Sequence, residues 1–320
     1  MATMSYAGAA LEALSRAMEA DPTVWCLGED LGRGGVFGQY KGLRERFGPE
    51  RVSDAPISEA AIMGAALGAA MVGTRPVVEM RFADFALCAT DELVNQIAKA
   101  RFMFGGQARV PVVVRKPMGM WRSSAAQHSQ SLEAWYAHVP GLVVAVPSTP
   151  QDNFAMMRAS VEADDPVVYL EHKNIWAMEG EVDEAEPFEW GTLRRRHAGG
   201  DVTVVAWSDA ANRAEEAAEA LAAEGIGADV LDLRSLWPWD RDGVCESVGR
   251  TGRLVVVHEA VAVAGFGAEV VASVAAECDL RARPRRLGSP RSLIPYAPNL
   301  EDRLRVTSAM IAEACREMCR

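Results

Sequence analysis

The sequence has few aromatic residues and none of the local motifs that identify a complete active site within one chain. Aromatic side chains make up only 7% of the 320 residues. There is no GxxxxGKS or GxxxxGKT phosphate loop, no HExxH zinc helix and no GxSxG nucleophile turn. The six cysteines are scattered, without a CxxC pair or a histidine at metal-ligand spacing. We therefore expect reduced thiols and no metal site held by this chain itself.

Long apolar runs and basic blocks are also missing. No apolar stretch reaches the ~18 residues that a membrane-spanning helix needs, and the N-terminus lacks the basic start and apolar segment of a secretory signal. The 44 acidic residues outnumber the 33 basic ones, and no basic stripe could track a phosphate backbone. We expect a cytoplasmic protein that binds neither nucleic acid nor a membrane.

What the sequence does contain is a regular alternation of apolar runs and helical segments. Apolar runs such as 76–80, 110–114 and 142–146 alternate with segments of helical periodicity, a pattern typical of βαβ units around a parallel sheet. An acidic stretch punctuated by Gly and Pro interrupts the pattern between Asn174 and Gly200, and the alternation then resumes. The sequence thus predicts an α/β protein with two three-layer α/β domains and mainly parallel sheets. We place the first domain at 1–180, a linker at 181–200 and the second domain at 201–320.

Glu59 opens a segment with the pattern of an unusually apolar helix. Ser58 is a suitable N-cap, and Gly73 follows the last helical residue, Val72. A glutamate in the first turn most often lies at the surface, where it offsets the helix dipole. The residues that follow Glu59 carry no polar side chain for three turns, so we expect this helix to be buried all round, its start included. Burial of a carboxylate is costly unless a partner compensates it, so Glu59 is a candidate functional residue.

A second candidate is His128, which lies in the polar segment Ala126 to Gln130. A lone histidine is more often a hydrogen-bonded structural residue than a catalytic one. Polar neighbours on both sides nevertheless favour a loop at the mouth of a site. Gly265 and Gly267, at the start of a later helix, could form an anion site, but we favour tight packing because the full dinucleotide fingerprint is missing.

Around these residues the chain resembles the E1 β subunits of pyruvate, branched-chain 2-oxo acid and acetoin dehydrogenases over nearly its whole length. The matching segments are LGEDLG (27–32), GLRERFGPERVSDAPISEA (42–60), RPVVEMRFADF (75–85), MFGGQARVPVVVR (103–115), AQHSQSLEAW (126–135), DDPVVYLEHK (164–173), DLRSLWPWD (232–240), TGRLVVVHEA (251–260) and IPYAP (294–298). Many short motifs in one order are far more specific than any single motif.

The resemblance implies a fold, a cofactor and a partner. The fold is a transketolase-like pyrimidine-binding domain followed by a transketolase C-terminal-like domain. The cofactor is thiamine diphosphate, whose aminopyrimidine half would lie on this chain. Its diphosphate and Mg²⁺ would be held by a separate α subunit with a GDG…NN motif, in an α2β2 assembly. That motif is missing here, which agrees with the lack of a phosphate site in this sequence.

The resemblance also implies roles for individual residues. Glu59 would hydrogen-bond the pyrimidine ring nitrogen and switch the cofactor on, so that a proton leaves thiazolium C2. Phe85 would stack on the pyrimidine, Ile57 would contact it beside Phe85, and Glu29 would supply a second acid near the ring. His128 would serve the substrate or the acyl acceptor.

Two departures from the family pattern leave the reaction open. Arg81 stands where similar sequences usually carry Met or Gln beside the pyrimidine, and it could pair with Glu29 or Glu59. The loop from Met118 to Ser124 replaces a glycine-rich stretch with larger side chains. Our leading hypothesis is decarboxylation of a 2-oxo acid with acyl transfer to a lipoyl E2 protein. The alternatives are a transketolase-like two-carbon ketol transfer, for example to an acyl-carrier-protein thiol, and a scaffold or regulatory subunit without activity.

Overall fold

The computed structural model describes residues 1–320, and the chain divides into two compact units. The first unit comprises Met1–Met118, Trp135–Ala145 and Thr149–Phe188, whereas the second comprises Gly119–Ala134, Val146–Ser148 and Glu189–Arg320. The segment that contains His128 therefore belongs to the second unit. None of the helices has the length and apolar character needed to cross a membrane.

The first 188 residues form eight strands and six helices, joined by short 3-10 and π turns. They are β1 (Ala2–Ser5), α1 (Tyr6–Ala20), β2 (Val24–Gly28), α2 (Leu43–Phe47), β3 (Val52–Asp54), α3 (Glu59–Met71), β4 (Arg75–Glu79), α4 (Ala98–Met103), β5 (Val113–Met118), α5 (Glu133–Ala137), β6 (Val143–Ala145), α6 (Pro150–Glu162), β7 (Val167–His172) and β8 (Glu179–Val182). The helices begin where the sequence offers caps. Ser5 accepts a hydrogen bond from the Gly8 amide at the start of α1, and Thr149 accepts one from the Asp152 amide at the start of α6.

A parallel sheet forms the centre of the first unit. Its strands lie in the order β6-β7-β5-β4-β2-β3, and every pair is parallel. The central strands β5 and β7 are buried along their whole length, as expected of parallel strands covered on both faces. β1 pairs separately with β8 in the antiparallel direction. The predicted α/β class with a mainly parallel sheet is confirmed for this unit.

The second unit is also an α/β structure. From residue 189 onward the elements are β9 (Arg194–His197), β10 (Val202–Ala206), α7 (Asp209–Ala222), β11 (Ala228–Asp232), β12 (Ser235–Trp237), α8 (Arg241–Thr251), β13 (Leu254–Val261), α9 (Gly267–Glu277), β14 (Arg285–Ser289), α10 (Pro298–Glu301) and α11 (Ser308–Cys319). The sheet order is β14-β13-β10-β11-β9, with only β9 antiparallel to its neighbour. Alanines of α7 and valines of the strands form its core. β9 lies inside the stretch that the sequence predicts as a linker.

The expectation that α3 is buried all round is wrong for this chain. Only one side of the helix packs inward, through Ile62, Met63, Ala66 and Ala70. The opposite side is exposed and consists of small residues, namely Ala60, Ala61, Gly64, Ala65 and Gly68. The apolar sequence of α3 indicates that the whole helix surface is best kept away from water. Within this single chain, however, only one side of the helix is covered. Glu59 is accordingly half-buried.

Candidate active site

Five of the six predicted site residues follow the carboxyl ends of three neighbouring strands. Glu29 comes directly after β2, Ile57 and Glu59 follow β3, and Arg81 and Phe85 follow β4. Since β4, β2 and β3 are adjacent and parallel, their carboxyl ends meet at one edge of the sheet. In open α/β sheets this edge is where ligands usually bind. The first unit therefore gathers these five residues at a position suited to a ligand.

Arg81 forms an ion pair with Glu29, one of the two partners considered from the sequence. A guanidinium nitrogen of Arg81 lies 3.3 Å from the Glu29 carboxylate and 3.3 Å from that of Asp30. Glu29 is only 8% exposed, so this charge is largely withdrawn from water and is neutralised by the pair. The Nε of Arg81 is buried and has no hydrogen-bond partner. Arg81 thus keeps one donor free while it compensates two acids.

An aromatic cluster lies beside this ion pair. The half-buried Phe85 meets Phe82 edge to face, with ring centroids 5.4 Å apart, and Phe82 meets Phe37 in the same manner at 5.6 Å. Edge-to-face contacts hold aromatic rings without covering all of their faces. Ile57 is 77% exposed, which is unusual for an isoleucine. Phe85 and Ile57 therefore leave apolar surface at the same edge of the sheet as the acids.

Glu59 is the first residue of α3, and its carboxylate has no hydrogen-bond partner within this chain. The side chain of Ser58 does not cap the helix, because its hydroxyl donates to the carbonyl of Pro56 instead. The helix start is thus left with free backbone amides beside a carboxylate that is not committed to another group. This arrangement leaves Glu59 available to a ligand.

A buried polar network, which sequence analysis missed, supports the strand ends from within the first unit. The carboxylate of Glu79, at the end of β4, accepts hydrogen bonds from the Tyr40 hydroxyl at 3.0 Å and the Gln39 amide at 3.2 Å. Burial raises the pKa of Glu79 to about 7, although the nearby Arg115 opposes the shift. Arg115 is itself fully buried and paired with Glu171. Charged residues inside otherwise apolar strands were the signal that could have revealed this network.

His128 lies on a loop, as predicted, and this loop belongs to the second unit. It is half-buried, and its backbone amide donates to the carbonyl of Ala125. Three non-glycine residues before it, Arg122, Ser123 and Ala125, have left-handed backbone conformations with φ between 45° and 61°. Such conformations cost energy for residues with a Cβ atom, so this loop depends on contacts elsewhere to keep its shape.

The residues of the first unit fit the pyrimidine half of thiamine diphosphate. A flat heteroaromatic ring needs an apolar or aromatic face and polar groups at its edge. Phe85 and Ile57 supply apolar surface, and Glu59 has an uncommitted carboxylate. The buried Nε of Arg81, which has no partner, is a further polar atom at this edge.

Comparison with known families agrees with this geometry. Residues 2–177 match the model of the transketolase pyrimidine binding domain, and residues 191–311 match that of the transketolase C-terminal domain. A split-gene transketolase described as an inactive β4 tetramer superposes with a TM-score of 0.83 at 25% identity, covering 99% of this chain and 98% of that one. The transketolase mutant R525L of Pichia stipitis has a TM-score of 0.75 at 14% identity and shares the fold.

Curated relatives are more similar in sequence. The β subunit of acetoin:2,6-dichlorophenolindophenol oxidoreductase from Cupriavidus necator is 42% identical, covering 96% of this chain and 94% of its own. The 2-oxoisovalerate dehydrogenase β subunit of Bacillus subtilis is 40% identical over 99% of both chains, and the pyruvate dehydrogenase E1 β subunit of Rickettsia felis is 38% identical over 96% of both. These relatives favour the dehydrogenase hypothesis over ketol transfer and do not support a carrier-protein acceptor. The chain belongs to the family of the β subunits of thiamine-diphosphate-dependent 2-oxo acid dehydrogenase E1 components.

Proposed function

We propose that this chain is the β subunit of an E1 enzyme that decarboxylates a 2-oxo acid and transfers the acyl unit to the lipoyl group of an E2 protein. The observation that carries the proposal is the cluster of Glu29, Ile57, Glu59, Arg81 and Phe85 at the carboxyl ends of three adjacent parallel strands. Relatives at about 40% identity that bear dehydrogenase names support the reaction class. The chain works only together with an α subunit.

Each residue at the strand ends has a role in this proposal. Phe85 and Ile57 hold the pyrimidine ring by apolar contact and exclude water from one of its faces. The carboxyl of Glu59 donates or accepts a proton at the ring nitrogen, which is general acid–base work for a positioned carboxyl group. Bound thiamine diphosphate supplies the carbanion chemistry that decarboxylation needs. Glu29 orients Arg81 and sets the local charge beside the ring.

The α subunit supplies what this chain lacks. It carries the GDG…NN motif, holds the diphosphate and Mg²⁺, and joins this chain in an α2β2 assembly. The exposed face of small residues on α3 and the exposed Ile57 support a close partner, because apolar surface of this kind is stable only when covered. Such cover would also withdraw the half-buried Glu59 from water.

His128 acts on the substrate or on the acyl acceptor in this proposal. It belongs to the second unit and lies on a loop, where functional side chains are common. The names of the relatives suggest pyruvate, 2-oxoisovalerate and acetoin as the first donors to try.

The test uses the complex of this chain with its α subunit, thiamine diphosphate and Mg²⁺. Glu59→Gln should leave the complex assembled and lower turnover of the accepted donor by about 10²-fold or more, because the acid–base group is lost. Exchange of the C2 proton, followed by NMR, should slow in parallel. Glu50→Gln, at an exposed acid in the same unit, is the matched control. Near-normal turnover in Glu59→Gln would end the assignment of Glu59.

A second measurement separates the reaction classes. The wild-type complex should transfer the acyl group of a 2-oxo acid to a lipoyl domain and should give no product from sugar phosphate donors. Transfer from a sugar phosphate, with no acylated lipoyl domain, would contradict the dehydrogenase proposal.

A further inference from the structure

The loop that carries His128 is anchored to the second unit near both of its ends. At the start of the loop, the backbone amide of Met120 donates to a carboxylate oxygen of Glu259 over 2.6 Å. Near its end, Glu133 accepts a hydrogen bond from the indole Nε1 of Trp207 at 3.2 Å. Each bond joins the loop to an element of the sheet, since Glu259 lies in β13 and Trp207 follows β10. The residues between the anchors include His128.

The Glu259 anchor is a charge-assisted bond in a sheltered place. The side chain of Glu259 is 8% exposed, and its second oxygen lies 3.8 Å from the guanidinium of Arg305. A carboxylate that accepts a backbone N–H away from water makes one of the stronger hydrogen bonds available to a loop. Arg305 offsets part of the charge that Glu259 brings inside.

The Trp207 anchor depends on the residue next to Glu259 in the sequence. His258 stacks on the Trp207 ring with centroids 5.2 Å apart and planes 18° from parallel. The imidazole in turn lies against glycines, because a Cβ atom at Gly267 or Gly288 would come within 2.8 Å of it. This contact confirms tight packing as the reason for the glycine at the start of α9. Two consecutive residues of β13 therefore support the two ends of the loop.

The loop is not packed completely against the second unit. A cavity of about 110 Å³ lies between loop residues, among them Met120, Ser129 and Gln130, and residues of β13 and β14. The hydroxyl of Ser129, beside His128, is buried and has no hydrogen-bond partner. The left-handed residues 122, 123 and 125 add strain, so the loop needs contacts beyond interior packing to hold this conformation.

We propose that Glu259 and Trp207 are positioning residues for His128, which hold its loop in the conformation needed for acyl transfer. This inference rests on the proposed function of the chain and of His128. It extends that function to residues that touch neither cofactor nor substrate. A loop held at two points presents a side chain with smaller displacement, and small displacements of a catalytic group have large effects on rate.

The experiment compares three variants in the assembled complex with α subunit and cofactor. Trp207→Phe keeps an aromatic ring but removes the indole N–H, Glu259→Leu removes the carboxylate, and Glu259→Gln keeps an acceptor for the Met120 amide. Trp207→Phe and Glu259→Leu should lower acyl transfer to the lipoyl domain by about 10-fold or more, while C2 proton exchange stays within about twofold of wild type. Glu259→Gln should recover most of the activity. Glu269→Gln, at an exposed acid of α9 that is bonded to Ser273, is the matched control.

Amide hydrogen exchange supplies a readout of the loop itself. Residues 119–134 should exchange faster in Trp207→Phe and Glu259→Leu than in wild type, with the strands of both units unchanged. If Glu259→Leu does not assemble, Trp207→Phe and Glu259→Gln decide the question. Wild-type acyl transfer in Trp207→Phe, together with loss of transfer in His128→Ala, would overturn the positioning role. Absence of acyl transfer in the wild-type complex would instead overturn the proposed function.

Discussion

The guanidinium of Arg81 lies 3.3 Å from the carboxylate of Glu29 and 3.3 Å from that of Asp30. These ion pairs connect the segment after β4 to the loop that follows β2. Asp30 has a left-handed backbone at φ 58°, a conformation that aspartate adopts more readily than most residues. The unusual arginine therefore keeps two acids compensated at the edge of the candidate site.

Removal of this arginine should weaken cofactor binding. Arg81→Met removes the ion pairs with Glu29 and Asp30, so the loop after β2 is held less firmly. Thiamine diphosphate should therefore bind about fivefold less tightly, equivalent to about 1 kcal/mol. The measurement is a titration of the αβ complex with cofactor, followed by fluorescence or calorimetry. Arg81→Lys should retain most of the affinity. Arg101→Met, which removes an exposed ion pair with Asp165, is the control. Equal cofactor affinities in Arg81→Met and wild type would contradict the role of the Arg81–Glu29 ion pair.

Glu79 should make stability fall as the pH rises from about 4 to about 7. Burial raises the pKa of Glu79 to about 7 in the folded chain, whereas an unfolded glutamate titrates near 4.3. The folded state holds the proton more tightly in this window, so raising the pH removes stability, by up to about 3 kcal/mol in total. The loss levels off above about pH 8, where Glu79 is deprotonated in the folded chain as well.

The check is urea unfolding of wild type and Glu79→Gln between pH 5 and pH 8. Glutamine carries no titrating proton, so the stability of Glu79→Gln relative to wild type should improve steadily as the pH increases and then level off. A difference that stays constant over this range would show that Glu79 titrates normally.

Lys116 should be a site at which loss of the native side chain stabilises the protein. Its ammonium nitrogen is fully buried in β5, has no hydrogen-bond partner and lies 3.8 Å from the centre of the Tyr136 ring. Burial holds the pKa of Lys116 well below its usual range. Lys116→Met fills similar space without a polar atom, and we expect a gain of about 1–3 kcal/mol near pH 7 in urea unfolding.

The gain should shrink at alkaline pH. Because the folded pKa of Lys116 is lowered, the unfolded chain binds its proton more tightly, and wild-type stability rises with pH toward the ordinary lysine value of about 10.4. Lys99→Met, at an exposed helix position bonded to Asn95, is the control. Destabilisation by Lys116→Met at every pH would mean that the amine has a stabilising contact.

The sequence was sufficient to predict the two α/β domains and the residues at the strand ends. Periodicity and apolar runs depend on how each element is exposed to water, which is a local property. Strands such as β4 and β6 could therefore be predicted without a structure. Glu59, Phe85 and His128 were chosen as candidates because short motifs around them match a family. The same reasoning gave a wrong prediction for α3, which was expected to be buried all round. An apolar helix sequence does not show whether each face is covered by this chain or by another.

Only the tertiary structure decided which distant residues meet. The choice of Glu29 over Glu59 as partner of Arg81, the burial of Glu79 beneath Tyr40, and the anchoring of the His128 loop by Glu259 and Trp207 all join residues separated by 39 positions or more. Such contacts depend on strand order and side-chain packing, which no local pattern encodes. The sequence alone thus determined the fold class and the main candidate residues, whereas the folded chain determined their charge partners and what holds them in place.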